Sequence, residues 1–240
     1  MSNNWKIIWE KREFEEPPSG EDDFLKMFIE LKRCNGFDSM GGMLSVSALM
    51  KQYENTKNLL TQNSSSELNS IFEIGCGSGA NLYMFERDGF VCGGIDYSHA
   101  LVDIAKRVLK TKDLTCDEAV NCNTEKKYDC MLSNSVFSYF DSVEYAKEVL
   151  EKMYRKTNYS IGLIDIHDIE KKEDYIAYRT ATVENYKERY ANLPRLFYGR
   201  EFFSDFAKKH NMDIVFCKSD VEGYWNNNFV FNCFMYKKDI

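Results

Sequence analysis

The chain of 240 residues carries 38 acidic against 31 basic residues, a net charge of −7 at pH 7, and is 44% hydrophobic and 15% aromatic. That length suits one α/β domain with a modest appendage and a substantial core. The negative field disfavours nucleic acid and anionic membrane as partners. No apolar run reaches the roughly 18 residues of a membrane span and "MSNNWKIIWEKREF" lacks a leader pattern, so a cytoplasmic protein is expected.

Trp5, Ile8 and Trp9 fall on one face of an opening helix, which the break "EEPPSGEDD" interrupts. A second amphipathic helix follows in "DFLKMFIELKRC". After the turn "GFDSMGG" comes a third, "SVSALMKQYENTKNLL", and then a loop, "TQNSSSELNS". Residues 1–66 therefore read as an N-terminal helical cap.

From Ser70 onward short apolar strands alternate with helices, the pattern of βαβ units on a parallel sheet. The strands are "SIFEIG", "FVCGGID", a weak third near Leu114 to Cys116, "YDCMLSN" and "YSIGLIDI". Between them lie "NLYMFERDG", stopped by Gly89, "SHALVDIAKRVLK" with an N-cap expected at Ser98, and "DSVEYAKEVLEKMYRK" with a capping-box-like Asp141-x-x-Glu144. A charged, Tyr-rich insertion at about 169–198 interrupts the alternation and reads as a lid. The helix "GREFFSDFAKKHN" and the strands "MDIVFCK" and "FVFNCFMYKK" complete the chain. Eight cysteines without a C-x-x-C pair read as reduced core or loop thiols, not zinc ligands.

In "IFEIGCGSGANLYMFERDGFVCGGID", Gly75, Gly77 and Gly79 lie between a strand and a helix, where a bare backbone turns sharply and lets a ligand approach. Gly75-x-Gly77-x-x-Ala80 also satisfies the dinucleotide form of such turns, and in either fold Asp96, 21 residues after Gly75, holds ribose hydroxyls. Glu73 separates the two. A carboxylate just before the first glycine adds unfavourable charge near a pyrophosphate, and favours a cofactor bearing an ammonium and a sulfonium.

This pattern, an acid before Gly-Cys-Gly-Ser-Gly, then Asn81, with Asp96 following, resembles the class I S-adenosylmethionine (SAM)-dependent methyltransferases over roughly residues 70–236. The resemblance implies SAM as cofactor and a Rossmann-like α/β fold: a seven-stranded, mostly parallel sheet with helices on both faces and an antiparallel last strand, spanning residues 67–240 behind the N-terminal cap. It implies cofactor contacts from Glu73, Gly75, Cys76, Gly77, Gly79, Asn81 and Asp96. Tyr97 and Ser98 would flank the adenosine, and Asp117, with Cys116 and Glu118 beside it, would meet the adenine. Ser133, Asn134 and Ser135 would line the path between methyl donor and acceptor. The Asn-Pro-Pro-Tyr box of amino-methylating enzymes is replaced here by "SNSVF", and the dimerisation domain of plant-type phenolic O-methyltransferases is absent. "WKIIWEKR", "GFD" and "GYWNNNFVFNCFMYKK" are similar to small-molecule methyltransferases of bacterial surface-polysaccharide and capsule pathways, whose acceptors are sugars or phosphoryl or nucleotide-activated precursors.

A hydroxyl acceptor needs a base, and His167, at the carboxyl edge of the fifth strand, is expected to serve, oriented by Asp165 or Asp168. Substrate contacts are expected from Tyr198, Arg200, Tyr224, Asn226 and Asn228, with Arg195 and Arg200 suited to a phosphate. His99 and His210 read as ordinary residues at helix ends. No histidine spacing calls for a metal, although a carboxylate-held divalent ion stays open. The expected partner is a small-molecule acceptor, with a monomer or homodimer as the assembly. Two rival readings stand beside this one: an NAD(P)-dependent reductase using the same glycines, and a non-catalytic methyltransferase-like binding module.

Overall fold

The computed structural model describes residues 4–16, 23–37 and 44–238, so most of "EEPPSGEDD" and "GFDSMGG" lies outside the described residues. Seven strands form one sheet: β1 (Ser70–Ile74), β2 (Val91–Asp96), β3 (Leu114–Cys116), β4 (Tyr128–Asn134), β5 (Thr157–His167), β6 (Met212–Lys218) and β7 (Val230–Lys237). Their order is β3-β2-β1-β4-β5-β7-β6. β7 runs antiparallel to both β5 and β6, while the pairings among β1 to β5 are parallel. This is the Rossmann-like architecture expected from the sequence, including the antiparallel last strand.

Side chains alternate across each strand, so the sheet has two apolar faces. One face, with Ile71, Cys130 and Leu132, packs against α2 (Asp23–Cys34), α3 (Val46–Thr61), α4 (Ala80–Arg87) and α5 (His99–Val108) through Phe28, Leu31, Leu60, Leu82 and Ile104. The other, with Phe72, Ile74 and Met131, packs against α6 (Val143–Lys156) and α9 (Arg200–Lys209) through Val149, Met153, Phe203 and Phe206. The N-terminal helices thus share a core with one face of the sheet.

Ser98 caps α5 as expected, its Oγ accepting from the Leu101 N–H at 3.3 Å. The cap of α6 is Ser142, whose Oγ accepts from the Tyr145 N–H at 3.1 Å, one residue later than the expected Asp141 box. Both serine and aspartate cap well, and the helix begins with whichever has the extended backbone. The insertion folds as α7 (Lys172–Thr182) and the short α8 (Tyr186–Arg189), and adds no strand. The opening helix α1 (Asn4–Trp9) lies against it, with the Trp5 indole N–H donating to the Pro194 carbonyl at 2.9 Å.

Candidate active site

The turn after β1 passes through three left-handed glycines, with φ of 70° at Gly75, 54° at Gly77 and 83° at Gly79. All three also lack room for a side chain, Gly79 because a Cβ there would press on Leu109. A Cβ on Gly75 would collide with Val136, and one on Gly77 with the Asn35 carboxamide. Asp96 ties this turn to the end of β2: the Gly77 N–H donates to its Oδ2 and the Ser98 N–H to its Oδ1, both at 2.9 Å. Burial pushes the Asp96 carboxyl up to about 6 despite those two donors.

Glu73 is 1% exposed on the adjoining strand. The Asn81 amide donates to its Oε1 at 2.6 Å, and Lys32, entering from α2, donates to Asn81 Oδ1 at 2.9 Å. Burial holds the Glu73 carboxyl up at about 8 and the Lys32 ammonium down at about 8, each opposed by the charge of the other. Glu73 Oε2 has no partner.

These residues line a cleft of about 680 Å³ bounded by Trp9, Lys32, Gly75, Tyr97, Asn134 and Val136, among others. It continues past Gly75, Asp96 and Tyr97 into a smaller recess of about 430 Å³ lined by Asp117, Glu118 and Tyr145. On its other side, across Ser135, Trp9 and Tyr139, opens a chamber of about 1660 Å³. The chamber is walled by α1, the insertion, the end of β5 and the loop before β7, and His167, Asp165, Arg179, Arg195, Tyr224 and Asn226 face it.

β5 is irregular where it meets the chamber. Its register with β7 shifts between Leu163 and Ile166, Asp165 has φ of 63°, and the Asp165 N–H turns to the Asn232 side chain at 2.9 Å. Such a bulge re-aims the side chain at that position. Asp165 Oδ2 accepts from Ser135 Oγ at 2.7 Å and from the Tyr224 hydroxyl at 2.6 Å. His167, 3% exposed, sits 3.3 Å from the Asn226 amide through Nε2. Burial, then the charges of Arg195 and Arg179, hold its imidazole well below the ordinary histidine range, so it is neutral at pH 7.

Buried polar atoms are normally satisfied, and exceptions mark places where something else belongs. Among the described residues seven buried side-chain N or O atoms have no partner. Six belong to residues lining these spaces: Glu73, Tyr97, Asp165, His167, Arg179 and Asn226. The protein's unmet hydrogen-bonding capacity is therefore concentrated along one continuous cavity.

The structure gathers Glu73, Gly75, Gly77, Asn81, Asp96, Tyr97 and Asn134 in the cleft, Asp117 and Glu118 in the recess, and Ser135, His167, Tyr224 and Asn226 in the chamber. Other sequence candidates sit elsewhere. Cys76 and Gly79 pack inward, Cys76 close to Gly94 and Gly79 close to Leu109. Ser98 spends its groups on Asp96 and the α5 cap, and Ser133 is buried beside the cleft without lining it. The expected substrate contacts Tyr198, Arg200 and Asn228 do not line the chamber. The Tyr198 hydroxyl donates to the Phe137 carbonyl at 2.8 Å, and Arg200 is paired with Asp168 at 2.9 Å. Asn228 lies in a short 3-10 turn between Asn227 and Phe229, outside the chamber lining. Asp168 is thereby committed to Arg200, and its Oδ1 accepts from the Glu170 N–H, so it does not orient His167.

Lys32, Asn35, Val136, Tyr139 and Arg179 line the cavity without having been singled out. Lys32 had a legible signal, since it falls one position after Leu31 and four after Phe28 on the apolar stripe of α2, where a charge is buried only with a partner. Among the described residues no cluster of His, Cys, Asp or Glu is placed to hold a metal ion, and no helix is long and apolar enough to cross a membrane.

Comparison with known proteins bears on the fold. Residues 72–158 match the family model described as a methyltransferase domain. A malonyl-[acyl-carrier protein] O-methyltransferase of Priestia megaterium (strain DSM 319 / IMG 1521) is 28% identical over 104 residues, 41% of this chain and 36% of that protein. The chain thus spans little more than a third of the curated relative it matches. Among solved structures, the plantazolicin methyltransferase in complex with S-adenosylhomocysteine (SAH) superposes with a TM-score of 0.61 at 15% identity, covering 90% of this chain and 94% of that one. Geranyl diphosphate C-methyltransferase from Streptomyces coelicolor A3(2), in complex with Mg2+, geranyl diphosphate and SAH, gives 0.62 at 12% identity, covering 100% and 99%. Magnesium protoporphyrin IX methyltransferase from Synechocystis PCC 6803 with bound SAM gives 0.54 at 13%, covering 98% and 90%. Residues 72–158 thus match a methyltransferase domain, and the chain has the fold of these structures.

Proposed function

We propose that the protein is a SAM-dependent methyltransferase that methylates an oxygen of a small molecule seated in the chamber. The sequence resemblance favours a sugar, phosphoryl or nucleotide-activated precursor of surface polysaccharide as that molecule. The observation that carries the reading is Glu73 Oε2, a buried carboxyl oxygen without a partner at the wall of the glycine-lined cleft. It suits a ligand that brings a cationic donor and suits a diphosphate badly.

Bound there, SAM supplies an electrophilic sulfonium methyl group and departs as the neutral thioether SAH. Glu73 would take its ammonium, Lys32 its carboxylate, Asp96 the ribose hydroxyls, and Tyr97 with Asp117 the adenine side. Ser135 lines both cleft and chamber, so it stands where the two ligands would meet. His167 is the proposed base, taking the acceptor's hydroxyl proton as the new oxygen–carbon bond forms. The Asn226 amide nitrogen lies 3.3 Å from His167 Nε2, which accepts from it and so is the bare nitrogen of the neutral ring. The cap of residues 1–66 and the insertion at 169–198 act as walls that exclude water from the reacting atoms.

Titration calorimetry with SAH, NAD+ and NADP+ tests the cofactor, and transfer of labelled methyl to a panel of acceptors tests the reaction. Binding of SAH alone, followed by transfer, is the expected result. Binding of a nicotinamide coenzyme with no response to SAH overturns the reading in favour of a reductase. Binding of SAH with no transfer to any acceptor reduces the protein to a cofactor-binding module.

A further inference from the structure

We infer that the acceptor is an organic oxyanion, a carboxylate or a phosphate ester, whose charged end is read by Arg195 and Arg179. The inference rests on the methyl-transfer reading of the adjoining cleft and narrows its substrate class. Although the chain as a whole is negative at −7, the chamber lining reverses the sign: Arg12, Arg179, Arg189 and Arg195 face Asp165 and Glu184. The placement of two of these arginines shows what they await.

Arg195 is held between two rings, its guanidinium carbon 4.7 Å from the Trp5 ring and 4.6 Å from that of Tyr139. Stacking on both faces fixes the plane of the fork and leaves its edge to hydrogen-bond. The Ser138 hydroxyl accepts from Nη1 at a long 3.3 Å, and Tyr139 also hydrogen-bonds the guanidinium. Arg179 lies 4.8 Å over Trp225 and donates from Nη2 to the Tyr190 hydroxyl at 3.2 Å, while its buried Nε has no partner. Among the described residues neither guanidinium has an ion-pair partner, whereas Arg200, just outside, is neutralised by Asp168. Asp165 feels the charge of Arg195, yet its Oδ2 is engaged by Ser135 and Tyr224. Guanidiniums half-buried among rings without a counter-ion are costly unless a ligand supplies one, and a planar oxyanion matches their fork.

The experiment titrates benzoate and phenyl phosphate, with benzamide and benzyl alcohol as neutral counterparts, into the full chain with and without saturating SAH. Either anion is expected to bind at least tenfold more tightly than its neutral counterpart, and the preference between the two separates a carboxylate acceptor from a phosphate ester. Arg195→Gln and Arg179→Gln are each expected to weaken the preferred anion by about 10-fold to 100-fold, the scale of one charge-assisted hydrogen bond. SAH affinity should stay within about twofold, and Arg200→Gln should leave anion binding unchanged. Equal binding of anions and neutral counterparts, or indifference of both arginine variants, overturns the inference. Should Arg195→Gln fail to fold, Arg179→Gln and the comparison of probes on the unsubstituted protein still decide. SAH binding without anion preference sinks this inference alone; anion preference without SAH binding sinks the methyl-transfer reading alone.

Discussion

Ser135 and Asp165 both hold their backbones in the left-handed region, at φ of 59° and 63°, and are joined side chain to side chain by a 2.7 Å hydrogen bond across the ends of β4 and β5. Non-glycine residues in this conformation are strained by about 1–3 kcal/mol each, and such strain collects at functional sites. Asp165 is also a buried acid whose carboxyl is raised by desolvation, against the lowering effect of Tyr224 and Ser135.

A carboxyl raised on folding stabilises the protein below its unfolded pKa, and that contribution is lost as pH rises through the folded value. Asp165→Asn is therefore expected to melt above the parent near pH 7.5, with the gap closing as the pH falls toward the ordinary aspartate range. Turnover should fall by about 10²-fold if the hydrogen-bonded carboxylate positions the acceptor. Thermal melts across pH, run beside turnover, check both halves.

Glu73→Gln is expected to weaken SAM and SAH binding by at least about tenfold, the scale of one charge-assisted hydrogen bond. With the Glu73 carboxyl pushed up to about 8, a cation bound there draws the group toward its ionised form, so binding near pH 7 should release protons. Calorimetry in buffers of different ionisation enthalpy measures that release, which should vanish in the glutamine variant.

His167 is kept neutral by burial and by Arg195 and Arg179, so the acid limb of kcat/KM should lie well below the ordinary histidine value of 6.5. An anion held by the arginines removes part of the cause, and the limb of kcat should lie higher than that of kcat/KM. Arg195→Gln should raise the limb in kcat/KM, and His167→Asn should cost about 10²–10⁴-fold in turnover with SAH affinity unchanged. Full activity in His167→Asn would remove this residue from the chemistry.

Gly77→Ala should destabilise the fold by about 1–3 kcal/mol, a loss of roughly 2–4 °C in Tm per kcal/mol, and abolish SAH binding. The new methyl group must displace Asn35, whose side-chain oxygen accepts the Ser78 N–H at 2.8 Å. Gly89→Ala offers the contrast, because a Cβ at that left-handed position meets open space. It should cost about 1 kcal/mol and leave binding intact.

The sheet was legible because its central strands are short apolar runs buried almost continuously on both faces, and the cofactor cleft because positive-φ glycines and a buried acid leave local marks at fixed spacing. The chamber was less legible. Arg179 and Arg195 both lie within the charged, Tyr-rich insertion, and only the tertiary arrangement decides that they face inward while Arg200 turns to Asp168. The Asp165 bulge has no sequence mark either, since it depends on Asn232 of β7 accepting the displaced N–H.

Glu10, just past α1, seats its carboxylate on the first amides of α5, accepting from His99 N–H at 3.0 Å and Ala100 N–H at 3.2 Å. The residue before it, Trp9, forms part of the boundary of both the cleft and the chamber. Lifting that single flap would unroof the two compartments together. Under the methyl-transfer reading, access to the donor site and access to the acceptor site would then be coupled through α1.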